Sequence, residues 1–120
     1  FFRNERRVIL VEPLNYEEMV GVIKESKFLL TDSGGLQEEA PALGKPVLVL
    51  RETTERQEAI ASGTAKLVGV QTEKIVNFVS ELLRNDILYK KMSNAINPFG
   101  DGTASKKILN HTLNFLNKSY

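Results

Sequence analysis

A serine followed by two glycines, Ser33, Gly34 and Gly35, is the part of this sequence best suited to chemistry. An apolar run precedes the three residues and a helix-spaced apolar pattern follows them, so the sequence predicts a strand, a tight turn and a helix. A turn of this kind directs several backbone N–H groups at one point, beside the positive end of the helix dipole. The sequence therefore predicts an anion site, and phosphate is the anion expected there. An alternative is a tight turn that needs glycine only for packing.

Glu39 lies one helical turn after the glycines, where its carboxylate can accept hydrogen bonds from sugar hydroxyls. The neighbouring Glu38 points in a different direction on a helix, so one carboxylate is expected to face the site and the other to face solvent. Spacing favours Glu39, because it borders the apolar side of the helix marked by Leu36 and Ala40. Alternatively, Glu39 only complements the helix dipole. A phosphate site beside a hydroxyl-binding carboxylate suggests a nucleotide.

A polar loop at 51–58 carries further candidate ligands. Arg51 and Arg56 have planar guanidinium groups that suit bidentate binding of a diphosphate. The alternative is that they form surface ion pairs with glutamates of the same loop. Thr54 offers a hydroxyl to a phosphate or sugar, or else it caps a helix together with Gln57 three residues later.

Other kinds of site are disfavoured by the sequence. No lysine follows the glycines as it does in a Walker A loop, so ATP hydrolysis is not expected. No cysteine is present and no metal-ligand spacing occurs, so neither a disulfide nor a metal site is predicted. The single histidine, His111, lies far from the glycines in the sequence, and we expect it at the surface rather than in catalysis.

Composition indicates an ordinary globular domain. The chain has 120 residues, 42% of them hydrophobic and 26% charged, which fits one domain with one core. The formal net charge of +1 gives no general attraction to nucleic acid or to an anionic membrane, so neither is expected as a partner. Absence of cysteine fits a cytoplasmic location. The chain starts at Phe1 and not at methionine, and we expect it to be cut from a longer protein.

Strands and helices alternate along the sequence and must position these residues. Strands that are apolar on both faces and joined by helices indicate a parallel, doubly wound α/β sheet. Ligands bind such sheets at the carboxyl ends of the strands, where the glycine turn and the 51–58 loop both lie. Asn15, with Glu18 three residues later, predicts a capped helix start. The predicted strands are 8–11, 28–30, 47–50 and 65–70, and the predicted helices begin near Asn15, Gly34, Thr54, Thr72, Asp86 and Thr103.

Over nearly its whole length the sequence closely resembles the non-hydrolysing UDP-N-acetylglucosamine 2-epimerases. The segments that carry the resemblance are EPLNY at 12–16, TDSGGLQEEAP at 31–41, GKPV at 44–47, RETTER at 51–56, GT at 63–64 and NPFGDGTA at 97–104. Gln57 stands where the family usually has proline. The family has two Rossmann-like domains in the GT-B arrangement, and the chain resembles part of the C-terminal one. The resemblance implies that 1–120 is a UDP-binding fragment without the N-terminal domain.

The resemblance also implies roles for individual residues. It assigns the diphosphate of UDP to the glycine turn and the ribose hydroxyls to Glu39, and it places Arg56 near the phosphates and sugar. Met19 matches a position beside the uracil, although the apolar stripe of its helix explains it equally well. The implied substrate-binding residues are Ser33, Gly34, Gly35, Glu39, Arg56, Met19 and Thr54, with no catalytic residue assigned in this chain and no cofactor or metal expected.

The family reaction interconverts UDP-GlcNAc and UDP-ManNAc by anti elimination of UDP to a glycal and re-addition of UDP to the other face. The resemblance implies that the acid–base carboxylates lie mostly in the N-terminal domain, so the isolated chain is expected to be inactive. It also implies a homodimer in the complete protein. Two alternatives are the UDP-sugar-binding domain of a GT-B glycosyltransferase and a folded fragment without catalytic function.

Overall fold

The sheet consists of three parallel strands in the computed structural model, which describes residues 5–117. The strands are hydrogen-bonded in chain order, and each is joined to the next through a helix, as parallel pairing requires. The predicted 65–70 strand ends early, at Leu67, because the strand beside it ends opposite at Val49. The strands are β1 (Leu29–Thr31), β2 (Val47–Val49) and β3 (Ala65–Leu67).

Six helices lie within the described residues: α1 (Tyr16–Glu25), α2 (Gly34–Ala42), α3 (Gln57–Ser62), α4 (Thr72–Arg84), α5 (Asp86–Ser93) and α6 (Ala104–Asn117). The predicted cap of α1 is confirmed. Asn15 Oδ1 accepts a hydrogen bond from the N–H of Glu18 at 3.0 Å, and the Glu18 carboxylate accepts one from the N–H of Asn15 at 2.9 Å. Two of the helix's first N–H groups are satisfied in this way.

Apolar side chains cover both faces of the sheet. On one face, Val47 and Val49 lie in a core cluster with side chains of α1, α2 and α3. On the other face, Leu48 clusters with Leu82 of α4 and Met92 of α5. The alternation follows from the two-residue period of a strand. Because helices cover both faces, the predicted doubly wound α/β architecture is confirmed.

The predicted strand at 8–11 is wrong. This segment forms no strand, and its four apolar side chains are exposed, with Ile9 at 85%. Within residues 5–117 no strand lies beside it, so its backbone groups have no ladder to join. An apolar, β-branched run indicates strand preference, but a strand also needs a neighbour.

The last helix, α6, lies at the surface, since none of its described side chains is buried. The Cα radius of gyration is 18.1 Å, compared with about 14 Å for a compact domain of this length. The larger radius shows that the chain is less compact than a typical domain of its length. The exposed position of α6 also leaves apolar side chains outside the core. The large apolar side chains of α6 are 47% to 72% exposed, and they are Ile108, Leu109, Leu113, Phe115 and Leu116.

The substitution Leu48→Ala tests the buried centre of the sheet. Leu48 is 2% exposed, so the variant should lose about 2–5 kcal/mol of unfolding free energy through lost burial and a cavity. Leu109→Ala removes the same atoms from a 58% exposed position of α6 and should change that free energy by less than about 0.5 kcal/mol. Urea unfolding followed by circular dichroism measures both. Equal losses would contradict this distribution of the core.

Candidate functional site

The glycine turn lies where β1 runs into α2, at the carboxyl edge of the sheet. Ser33 is the N-cap residue of α2, and its Oγ accepts a hydrogen bond from the N–H of Leu36 at 3.5 Å. Gly34 and Gly35 form the first turn of α2. Their N–H groups donate no hydrogen bond to any of the described residues. Gly35 is exposed and Gly34 is half-buried. Two backbone donors at the positive end of a helix dipole therefore lack a partner among the described residues.

A buried hydrogen-bond chain fixes the 51–56 loop against the glycine turn. Gln37 of α2 is fully buried, and its Nε2 donates to the carbonyl oxygen of Ser33 at 3.1 Å. Its Oε1 accepts a hydrogen bond from the Thr54 hydroxyl at 2.7 Å. Thr54 Oγ1 in turn accepts from the N–H of Arg56 at 3.1 Å. These bonds satisfy the buried side chains and hold Arg56 near the start of α2.

The predicted helix cap at Thr54 is wrong. α3 begins at Gln57 with Arg56 in the N-cap position, and none of the side chains that the structure describes caps it. The Thr54 hydroxyl is used instead by Gln37, which is 17 residues earlier in the chain, while Gln57 Nε2 donates to the carbonyl oxygen of Thr54 at 2.6 Å. A tertiary hydrogen bond thus replaces the local cap. Ligand binding by Thr54 stays a prediction, and in this structure its proton is donated to Gln37.

Charged side chains of the 51–56 loop lie close to Gly34 in the glycine turn. Arg56 Nε donates to the Glu38 carboxylate, and Arg56 Nη1 lies 3.9 Å from Glu55 Oε1. Arg51 Nη1 contacts Glu55 Oε2 at 3.1 Å, so both arginines form the ion pairs that were the alternative interpretation. A hydrogen bond from its own backbone and the two guanidinium groups lower the pKa of the Glu55 carboxyl. A Cβ on Gly34 would meet Glu55 Oε1 at 2.8 Å and Arg56 Nη2 at 3.8 Å.

Glu38 and Glu39 diverge from α2, as their adjacent positions predict. Glu38 is half-buried and paired with Arg56, so the expectation that it faces solvent is wrong. Glu39 is half-buried, and its Oε1 lies 4.0 Å from the point that a Gly35 Cβ would take. Beside it is a depression of about 150 Å³, smaller than the roughly 300 Å³ of small-molecule pockets. The depression is lined by Tyr16, Val20, Glu39, Ala42 and Leu43.

The remaining candidates lie on α1 and α6. Met19 of α1 is half-buried and packs against the first core cluster, which confirms its place in the apolar stripe, whereas its contact with uracil stays a prediction. His111 is exposed on α6, as expected. Between residues 5 and 117, no group of three or more His, Cys, Asp and Glu side chains could hold a metal ion. No helix of that same range has the length and apolar character needed to cross a bilayer.

Sequence reasoning missed two residues of this site, Gln37 and Glu55. Gln37 lies three residues before Ala40, so helical spacing places its amide on the packed side, where a polar group needs a partner. That spacing was the available signal. For Glu55, the sequence predicted only an ion pair with a nearby arginine and no position beside the glycine turn. Its position over Gly34 depends on the path of the loop, which no local pattern specifies.

Taken together, the doubly wound sheet and the glycine turn at a helix N-terminus place this chain in the class of Rossmann-like domains. The model of the UDP-N-acetylglucosamine 2-epimerase family matches residues 2–113, and the chain belongs to that family. The predicted family is thereby confirmed. The match favours an epimerase over the glycosyltransferase alternative.

Individual relatives agree with the family match. The chain is 50% identical over 107 residues to UDP-N-acetylglucosamine 2-epimerase from Campylobacter jejuni, covering 89% of this chain and 28% of the relative. It is 52% identical over 112 residues to the enzyme from Bacillus subtilis, covering 93% of this chain and 30% of the relative. The chain therefore spans less than a third of the length of these curated relatives.

Solved structures of the family share the fold. The UDP-GlcNAc 2-epimerase from Neisseria meningitidis, determined bound to UDP-GlcNAc, matches with a TM-score of 0.81 and 51% identity, covering 87% of this chain and 28% of that one. The enzyme from Methanocaldococcus jannaschii, in complex with UDP-GlcNAc and UDP, matches with a TM-score of 0.75 and 35% identity. The match covers 93% of this chain and 29% of that one. These matches confirm that the fold is a partial domain of a GT-B-like protein.

The buried pair of Gln37 and Thr54 can be tested by a double-mutant cycle. Gln37→Leu should lower the free energy of unfolding by about 1–3 kcal/mol, because it leaves the buried Thr54 hydroxyl without its acceptor. Thr54→Val should have a loss of similar size. The double variant should lose less than the sum, by at least about 0.5 kcal/mol, because neither polar partner is then left alone. Urea unfolding measures the cycle, and strictly additive losses would show that the pair does not join the two segments.

Proposed function

We propose that this chain is the UDP-binding part of a UDP-N-acetylglucosamine 2-epimerase, an isomerase that interconverts UDP-GlcNAc and UDP-ManNAc. The observation that carries the proposal is that the N–H groups of Gly34 and Gly35, at the start of α2 and beside Arg56, have no partner within residues 5–117. Donors at a positive helix end, next to a guanidinium group, suit a diphosphate. A relative with 51% identity was determined with UDP-GlcNAc bound, which supports this ligand.

The diphosphate would lie on the N–H groups of Gly34 and Gly35, bordered by Ser33 and by the guanidinium group of Arg56. When the bond between the sugar C1 and the diphosphate oxygen breaks, negative charge develops on the departing UDP. Donors that are already oriented stabilise this charge without reorganising, which is a large term in many enzymes. The same contacts would retain UDP until it adds to the other face of the glycal.

The nucleoside would lie along the depression between α1 and α2. Glu39 is half-buried there and would accept hydrogen bonds from the ribose hydroxyls. Met19 of α1 would lie beside the uracil. Thr54 would act on the phosphate side, mainly through the hydrogen bonds with which it holds the loop that carries Arg56.

We propose further that 1–120 is a C-terminal domain that works with a second, N-terminal domain of a longer protein. The short coverage of the relatives, the small size of the depression and the exposed apolar residues of α6 support this. Glu38 and Glu55 are paired with arginines, and the proposal assigns the proton chemistry at C2 to the other domain, as the family likeness implies. The family likeness favours a homodimer, and the absence of cysteine favours a cytoplasmic location.

Gly35→Asp would place a carboxylate where the diphosphate is proposed to lie. A Cβ at this position meets no atom closer than 3.9 Å, and an acidic residue in the first turn of a helix is favourable, so the variant should fold. UDP should raise the melting temperature of the native chain, because it binds only the folded form. In the variant, the Kd for UDP measured by calorimetry should rise roughly tenfold or more through like-charge repulsion.

Gly21→Asp is the matched control for this experiment. Gly21 lies on α1, and a Cβ added there would have no atom within 4 Å. The control adds the same charge away from the turn, so its Kd for UDP should stay within about twofold of the native value. An equal loss in both variants, or no binding of UDP to the native chain, would contradict the proposed site.

The chain alone should not interconvert UDP-GlcNAc and UDP-ManNAc, because Glu55, the carboxylate nearest to Gly34, is paired with two arginines and the acid–base carboxylates are proposed to lie in the N-terminal domain. Proton NMR of UDP-GlcNAc incubated with the chain should show no UDP-ManNAc above the enzyme-free background. The complete Bacillus subtilis enzyme serves as the positive control. Turnover by the 120-residue chain would show that a second domain is not required.

A further inference from the structure

The Glu55 carboxylate occupies the space over Gly34 to which the proposed function assigns a diphosphate. Its Oε1 lies 2.8 Å from the point that a Gly34 Cβ would take. Arg51 Nη1 contacts Glu55 Oε2 at 3.1 Å, and Arg56 Nη1 lies 3.9 Å from Oε1. A carboxylate between two guanidinium groups, beside the positive end of a helix, has the surroundings that an anionic ligand requires.

We propose that Glu55 is an internal competitor for the diphosphate site, and that a ligand binds by displacing its carboxylate from Gly34 and from the two arginines. The inference rests on the proposed function, because it names what UDP must displace there. The Glu55 side chain is 51% exposed and belongs to a loop, so it can rotate into solvent without disturbing the core. No covalent bond changes in this exchange.

Arg56 would stay in place during the exchange, because it has anchors that do not involve Glu55. Its Nε donates to the Glu38 carboxylate, and its backbone N–H donates to the buried hydroxyl of Thr54. Arg51 differs, since among the described residues its ion-pair partner is Glu55. Displacement of Glu55 therefore leaves one guanidinium group fixed beside Gly34 and frees a second one to bind phosphate oxygens.

The competitor makes the site selective for charge. A diphosphate offers several anionic oxygens to the two guanidinium groups and to the helix end, and so it can replace a single carboxylate at all three. A neutral nucleoside has no group that can do so. Glu55 should thus weaken the binding of every anionic ligand at this site and leave the binding of uridine unaffected.

Glu55→Gln tests the inference, because it keeps the size of the side chain and removes its charge. Calorimetric titration of the chain with UDP should give a Kd about two- to fivefold lower for this variant than for the native chain, the range that exposed ion pairs support. Titration with uridine should give the same Kd for both proteins. Thermal melts should confirm that the variant folds like the native chain.

Glu52→Gln is the matched control, since it removes the same charge from the same loop. Glu52 Oε1 lies 2.8 Å from the Cβ position of a different glycine, Gly69, so this variant should bind UDP as the native chain does. Equal gains in the two variants would assign the effect to net charge and overturn the inference. Unchanged or weaker UDP binding by Glu55→Gln alone would also overturn it. If neither the native chain nor the variants bind UDP, the proposed function itself fails.

Discussion

The hydrogen bond from the Thr54 hydroxyl to Gln37 Oε1 joins the two sheet-edge segments that make up the site. Pairing of β1 with β2 brings the ends of these strands together, but it does not fix the side chains of the loops that follow. A fully buried amide must be satisfied, because an unpaired buried polar group costs about 1–3 kcal/mol. Thr54 meets that requirement, and Arg56 is held two residues later. The position of Arg56 thus depends on the hydrogen bond that the buried Gln37 amide requires from Thr54.

Local patterns predicted the parts of this chain that depend on local interactions. The cap at Asn15, the turn at Ser33 and the divergence of Glu38 and Glu39 each involve residues within one helical turn. The failures have the opposite character. The 8–11 strand lacks a partner among the described residues, and the Thr54 hydroxyl bonds a residue far away in the sequence. Neither outcome can be read from a window of neighbouring residues.

The openness of this site has a physical consequence for affinity. The charged groups over the glycine turn are partly exposed, and water and salt screen such interactions strongly. Closing a second wall over them would remove water and strengthen each contact with a diphosphate. Weak UDP binding by this chain alone would therefore be compatible with the electrostatic catalysis that we propose for the longer protein.

The most direct measurement of the central claim is a titration of the ¹⁵N-labelled chain with UDP and with uridine, followed through amide correlation spectra. If the N–H groups at the start of α2 bind the diphosphate, the amide resonances of Gly34 and Gly35 should show the largest shifts with UDP and should not move with uridine. If UDP shifts other amide resonances but leaves those of Gly34 and Gly35 unchanged, the proposed binding of the diphosphate at the start of α2 is contradicted.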